Sequence, residues 1–135
     1  MHELSVQTPQ REFMVDITAQ VQDFVRNREL RNGMVILFCP HTTAGLTINE
    51  NADPTVTRDI LTTLRRLIPH QGDYQHAEGN SDAHVKAGLM GSDLRILVEE
   101  GRLMLGMWQG IFLTEFDGPR SRKVWIQWFA SSTAA

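Results

Sequence analysis

The sequence predicts an α+β fold. Alternating apolar patterns open the chain and fill its last third, two stretches of helical period interrupt them, and the elements run strands, helix, strands, helix, then an antiparallel block. At 135 residues the chain is most simply one domain, long enough to bury a core. It shows no internal repeat, and its one low-complexity segment, residues 131–135, is expected to fray.

Residues 3–15 read as one or two strands, because Leu4 and Val6 alternate with polar neighbours and Phe13, Val15 and Ile17 do so again, with Thr8, Pro9 and Gln10 turning between them. From Asp16 the period becomes helical: Ile17, Val21, Phe24 and Val25 share one face, Asp16 or Thr18 caps the start, and Asn32-Gly33 is the expected stop. Residues 34–39 are apolar without alternation, the pattern of a strand covered on both faces, and Pro40 ends it. Leu46 and Ile48 then oppose Thr47 and Asn49 in a short strand. Asp53-Pro54 starts a helix with a capping carboxylate and a proline that loses no needed donor. Its expected buried stripe is Val56, Ile60, Leu64, Leu67 and Ile68, and Pro69 closes it. HQGDYQHAEGNSDAH has no period and reads as the long polar loop. Ser81 or Asp82 caps a short helix in which Val85 and Leu89 pack, ended by Gly91. In the last third Leu94, Ile96 and Val98 alternate, residues 99–102 hold a turn glycine, and a long strand runs through Ile111 and Leu113 to the turn Asp117-Gly118-Pro119. Val124, Ile126 and Trp128 form the closing strand.

Composition excludes several classes. The chain is 41% hydrophobic and 21% charged, ordinary for a soluble globular protein. No apolar run spans a bilayer, and the first residues show neither a basic start nor an apolar signal core, so no membrane partner and a cytoplasmic address are expected. Cys39 is the sole cysteine, which rules out an intramolecular disulfide, fits a reducing compartment and reads as a small buried hydrophobe. A net charge of -3 offers nucleic acid no general attraction, and the basic spot Arg120, Arg122 and Lys123 is too small to change that.

Chemistry concentrates in residues 40–54, PHTTAGLTINENADP, which places His41, Thr42, Thr43, Thr47, Asn49, Glu50, Asn51 and Asp53 directly behind an apolar run. His41, His76 and His84 lie in polar loops or at a helix start; three imidazoles from different loops can hold one metal ion with a position left open. Taken singly, each is better explained by a hydrogen bond to backbone in its own loop, as His2 and His70 are. Among the acids, Asp53 is explained as a helix cap, whereas Glu50 has no structural explanation and is the preferred acid/base; Asp73 and Asp117 also sit in turns where a carboxylate serves as base, ligand or cap. Pro119 rigidifies the turn carrying Arg120, whose guanidinium suits phosphate or carboxylate, though a surface arginine between strands is common. Gly106 and Gly110 mark a bulge or close approach, with Trp108 expected in the core and Gln109 pointing away from it. LMLGMWQGIFL is apolar on both faces, so a partner subunit is expected to cover the second.

HTTAGLTINENADP, NSDAHVKAGLMGSDLRI and GRLMLGMWQGIFLTEFDGPRSRKV, in this order and spacing, resemble the YjbQ-like family of small proteins often labelled secondary thiamine-phosphate synthases. The resemblance extends from about Phe13 to Ile126. It implies an α+β fold with a seven-stranded β-sandwich, mostly antiparallel, two main helices and one short one, assembly as a homotrimer, and condensation of an aminopyrimidine diphosphate with a thiazole phosphate, releasing pyrophosphate. The family's polar positions fall on His41, Thr42, Thr43, Glu50, Asn51, Asp53, Asp73, His76, Asn80, His84, Trp108, Gln109, Asp117, Gly118 and Arg120. Met107 stands where threonine is usual, and Asp82 where a smaller residue is usual.

The combined expectation is a site in which His41, His76 and His84 hold a divalent ion, zinc or magnesium, which with Arg120 neutralises the diphosphate. Thr42, Thr43, Asn51, Asn80 and Gln109 orient substrate, and Glu50, Asp73 or Asp117 handles the proton. The alternatives are a metal-dependent hydrolase of a small phosphorylated metabolite and a non-catalytic metabolite-binding trimer.

Overall fold

Strand alternation sends one set of side chains inward from two antiparallel sheets, and these meet in a shared core. The computed structural model describes residues 1–132, with three helices and eight strands among them. The larger sheet has the order β1-β8-β3-β5-β6, from β1 (His2–Gln7), β8 (Ser121–Ala130), β3 (Gly33–Phe38), β5 (Asp93–Glu99) and the two-residue β6 (Arg102–Leu103). The smaller has the order β2-β7-β4, from β2 (Phe13–Asp16), β7 (Gln109–Glu115) and β4 (Ala44–Glu50). The α+β sandwich implied by the resemblance is therefore present, with seven strands of four or more residues and the small β6 besides.

Val35 and Leu37 of β3, Leu46 of β4, Ile96 and Val98 of β5, Ile111 and Leu113 of β7, and Val124 and Ile126 of β8 form one buried cluster. Helix α1 (Thr18–Asn27) closes it with Val21, Phe24 and Val25. The Asp16 carboxylate accepts from the Thr18 N–H at 2.9 Å, as expected of a helix start. The helix stops well before Asn32-Gly33 because Glu29 turns to a positive φ of 53°. Asp53 caps α2 (Pro54–Leu67), accepting from the Thr55 N–H at 2.9 Å.

Three packing expectations are corrected. Strand β3 is covered on one face only: Val35 and Leu37 are buried, whereas Phe38 is 40% exposed. Met34 lies directly beside Leu97 on one side and Phe129 on the other, and Phe38 stacks on Trp125, so this outer face carries an apolar row that no helix of the chain covers. No residue of α2 is fully buried, and Leu67, expected in its stripe, is exposed. In α3 (Ser81–Met90) the buried residues are Asp82, Ala83, Lys86 and Ala87, while Val85 and Leu89 face outward. Asp82 and Lys86, one helical turn apart and paired at 2.9 Å, are held inward by Arg11 and Glu12 from outside the helix, beside Ala83 and Ala87, which pack on Phe116.

The stretch LMLGMWQGIFL is not one strand. Residues 104–108 turn between β6 and β7, held by the Gln109 side chain accepting from the Gly106 N–H at 2.8 Å. This leaves Met107 and Trp108 exposed rather than in the core. Ser131, expected to begin a fraying tail, is tied to Asn32 O at 2.9 Å; residues 133–135 of that tail lie outside the described residues. Among the described residues no helix is long and apolar enough to cross a membrane.

Candidate functional site

The turn after β3, the start of α3 and the turn between β7 and β8 enclose a cleft of about 380 Å³. His41, Thr42 and Thr43 line it from the first segment, Asn80 and His84 from the second, Asp117 and Arg120 from the third, with Glu78 and Arg122 completing it. The fold brings these segments together because β4 and β7 pair with Ala44 opposite Glu115, while β8 returns beside β1 and β3.

A buried ion pair lies beneath the cleft. Glu115 is fully buried, and its Oε1 accepts from Thr8 Oγ1 and from Arg122 Nε, both at 2.8 Å. Its Oε2 accepts from Arg122 Nη2 and from the N–H groups of Phe116 at 3.1 Å and Asp117 at 3.0 Å. Arg122 Nη2 also donates to Thr43 Oγ1 at 2.7 Å. One carboxylate thus fastens two walls of the cleft. Burial raises the Glu115 pKa, but the Arg122, Asp117 and Thr8 hydrogen bonds outweigh it and hold the carboxyl below its ordinary value. Thr43 is accordingly a support for Arg122, with its hydroxyl already engaged.

At the rim, Arg120 is half exposed and donates to Asp117 O at 2.9 Å and Asp117 Oδ2 at 3.1 Å. Asn80 Nδ2 donates to the same carboxylate oxygen at 2.8 Å, while Asn80 Oδ1 is enclosed without a hydrogen-bond partner. The Lys123 N–H donates to His41 Nε2 at 2.9 Å, fixing the neutral ring as the Nδ1–H tautomer. Burial and then the charge of Arg122 lower the His41 pKa, so this imidazole is neutral at pH 7.

The structure divides the expected site. His41, Thr42, Thr43, Asn80, His84, Asp117 and Arg120 share the cleft. His76 lies beside it, its ring 5.4 Å from that of His84 and its Nε2 3.6 Å from Glu78. Asp73, expected as a catalytic acid, is on the exposed 69–80 loop and does not line the cleft. Glu50, Asn51 and Gln109 are at the far end of β4 and β7, where Glu50 pairs in register with Gln109. Across the length of β4 that separation is roughly 20 Å, at about 3.4 Å per residue. There Asn51 Nδ2 reaches Asp16 at 3.3 Å, and Gly110 admits it closely: a Cβ at Gly110 would lie 2.7 Å from Asn51 Cβ. This is the close approach that glycine in a strand signals.

The histidine triad expected to bind metal is not assembled within the chain. His41 has one ring nitrogen occupied by Lys123, and among the described residues no three His, Cys, Asp or Glu side chains are grouped so as to hold an ion. Cys39 is buried with a raised thiol pKa, caused chiefly by burial, and its Sγ lies 3.5 Å from Ala44 O. His70 bonds Gly79 O in its own loop as expected, whereas His2 packs on Phe24 and meets the Arg28 side chain.

Glu115 and Arg122 are not among the expected site residues, yet each continues an inward-facing alternation: Ile111, Leu113, Glu115 on β7 and Arg122, Val124, Ile126 on β8. A charge at an inward position of a period-two pattern is the signal that locates them. A second buried network also escapes the sequence reading: Lys86 Nζ donates to Glu12 at 2.7 Å and Asp82 at 2.9 Å, with Arg11 reaching Asp82 at 3.0 Å.

The two-sheet α+β fold recurs in solved structures. A YjbQ/UPF0047-family protein of Clostridium acetobutylicum superimposes with a TM-score of 0.93 at 54% identity, covering 96% of this chain and 100% of that one. The conserved hypothetical protein TT1486 of Thermus thermophilus gives 0.90 at 48% identity, with coverage of 96% and 100%. Among curated proteins, the UPF0047 proteins MJ1081 of Methanocaldococcus jannaschii and YugU of Bacillus subtilis are each 46% identical. They match over 90% and 92% of this chain and 88% and 95% of their own lengths, respectively. The family model described as UPF0047 protein YjbQ-like matches residues 2–131. The chain belongs to the YjbQ-like UPF0047 family.

Proposed function

We propose that the cleft binds a small phosphorylated metabolite and that the protein acts in the cytoplasm as a thiamine-phosphate synthase-like transferase. The observation behind this reading is the convergence of His41, Thr42, Asn80, His84 and Arg120 from three separate segments on one cleft of about 380 Å³. In the reaction the carbon–oxygen bond between the aminopyrimidine's methylene and its diphosphate breaks, pyrophosphate leaves with the electron pair, and the thiazole nitrogen bonds to that carbon. Arg120, anchored by Asp117, supplies charge-assisted donors to the departing phosphate, and the Thr42 hydroxyl and the neutral His41 Nδ1–H supply uncharged ones. Among the described residues no three His, Cys, Asp or Glu side chains are grouped so as to hold an ion, and every step of this reading is carried by the chain's own side chains.

The reading includes a homotrimer. The row Met34, Leu97, Phe129 and the stacked pair Phe38 and Trp125, joined through Ile36 with Arg95 and Gln127 beside it, present apolar surface of the kind a second copy of the chain covers. Assembly is also the route by which Glu50, Asn51 and Gln109, roughly 20 Å from the cleft of their own chain, reach the cleft of a neighbour.

The test is to supply aminopyrimidine diphosphate and thiazole phosphate and follow thiamine phosphate and pyrophosphate together. Equimolar appearance of both, lost in Arg120→Ala, is expected. Orthophosphate release without condensation would point instead to a hydrolase, and no turnover above buffer would overturn the enzyme reading. Sedimentation at micromolar protein is expected to give three times the chain mass; a monomer mass would remove the trimer.

A further inference from the structure

We propose that Arg122 is the inner anion-binding residue of the cleft, with Glu115 as its positioning residue, so that the site is built for two linked phosphates, one at Arg122 and one at Arg120. This rests on the phosphorylated-ligand reading above and names the ligand class within it.

Most donors of Arg122 are already committed within the chain. Its Nε is committed to Glu115, and its Nη2 to Glu115 and to both the hydroxyl and the carbonyl of Thr43. Nη1 makes no hydrogen bond with any described residue. It is not sealed away either, because Asn80 Oδ1 is the one enclosed side-chain atom without a partner among the described residues. Arg122 lines the cleft while its side chain is 3% exposed, so the small part of it that meets open space faces the cleft. A guanidinium held by its other two nitrogens presents that last N–H pair in a fixed plane, the geometry that suits a phosphate oxygen.

Arg120 is the complement. It too leaves Nη1 without a hydrogen bond, but it stands half exposed at the rim on a single carboxylate, Asp117. The cleft therefore offers one buried and one half-exposed set of guanidinium donors, two residues apart on the chain. Its carboxylates, Glu78, Asp117 and Glu115, match or exceed its two arginines in charge, so no long-range positive field draws an anion in. Affinity then comes from short-range donation at two points, one for each of the two linked phosphates of a diphosphate.

Calorimetry with pyrophosphate and orthophosphate on the full chain, as wild type, Arg122→Lys and Arg120→Ala, tests this. Wild type is expected to prefer pyrophosphate by about tenfold or more, which is about 1.4 kcal/mol. Arg122→Lys keeps a cation beside Glu115 but withdraws the fork, so it is expected to remain folded and to lose most of that preference. A folded Arg122→Lys with wild-type pyrophosphate affinity, beside a weakened Arg120→Ala, overturns this inference and leaves the phosphorylated-ligand reading standing. A wild type that binds neither anion overturns both. Should Arg122→Lys not fold, wild-type crystals soaked in pyrophosphate decide: a phosphate oxygen within hydrogen-bond distance of Arg122 Nη1 supports the inference, and pyrophosphate bound elsewhere or absent overturns it.

Discussion

The two ends of β4 carry similar side chains in very different settings. At the Ala44 end, the carboxylate of Glu115 is buried and saturated with donors, and through Arg122 and Thr43 it holds the cleft in shape. At the Glu50 end, the Glu50 carboxylate makes no hydrogen bond with a described residue, the Asn51 side chain has one long hydrogen bond, to Asp16, and Trp108 stands exposed. The first end is preorganised by its own chain. The second is a half-solvated rim whose groups have little to do within the chain that bears them.

The largest effect expected from this contrast is at Glu115. Replacing it with alanine leaves the buried Arg122 without its ion-pair partner and the Asp117 N–H without an acceptor, while Thr8 and Phe116 keep only Arg120 O and Thr43 O, a loss of about 3–5 kcal/mol. At a few degrees per kcal/mol this lowers Tm by more than about 10 °C. A Tm drop of a few degrees in calorimetry would mean that water readily replaces the carboxylate, and the cleft would not be preorganised by it.

Acid should act on the same end. Glu115 and Asp82 both have pKa values lowered in the fold; burial opposes the shift in each, and hydrogen bonds from Arg122 and from Lys86 and Arg11 override it. A carboxylate of depressed pKa contributes stability that is present above its unfolded value and is lost as pH falls through the folded one. The unfolded values are 4.5 and 3.8, so loss from these groups begins below about pH 4.5 and continues downward. His41, lowered from 6.5, adds an earlier and shallower loss below that value, since the unfolded imidazole takes a proton that the folded one resists. Tm against pH is expected to fall in these two stages, and His41→Gln should remove the first.

At the other end, Gly110→Ala probes the approach of Asn51. The added Cβ would lie 2.7 Å from Asn51 Cβ, closer than such atoms pack, so β4 or the residue 51 turn must shift at a cost of about 1–3 kcal/mol. Unchanged stability would show that the Asn51 end yields freely.

How far the sequence foretells this contrast depends on the kind of signal. Asp53-Pro54 starting α2, the alternation of β5 and β8, and the close approach at Gly110 are local consequences of backbone chemistry, and each appears at its expected place. Val85, Leu89 and Leu67 read as inward on apolarity alone, yet the inward face of α3 carries Ala83, Ala87 and the Asp82–Lys86 pair, whose partner Glu12 lies far away in sequence. His41, Asn80, His84 and Arg120 do share one cleft, whereas Glu50, joined to them by its nearness in sequence to His41, lies at the other end of β4. A strand carries its two ends apart, so closeness along the chain overstates closeness in space.

The smallest stability effect, and the sharpest test of the contrast, belongs to Glu50→Gln. With no partner to lose, it should change stability by no more than about 0.5 kcal/mol. If the Glu50 end serves a neighbour's cleft, the same change nonetheless abolishes condensation, while Arg120→Ala abolishes it from the other side. Mixed oligomers, formed by unfolding and refolding the two variants together, then regain activity that neither has alone, because some interfaces pair an intact Glu50 with an intact Arg120. Full activity in Glu50→Gln would strip this end of a catalytic role. Inactive mixtures of two inactive variants would place both residues in the service of one chain's site, and the roughly 20 Å between them would then have to close by movement within that chain.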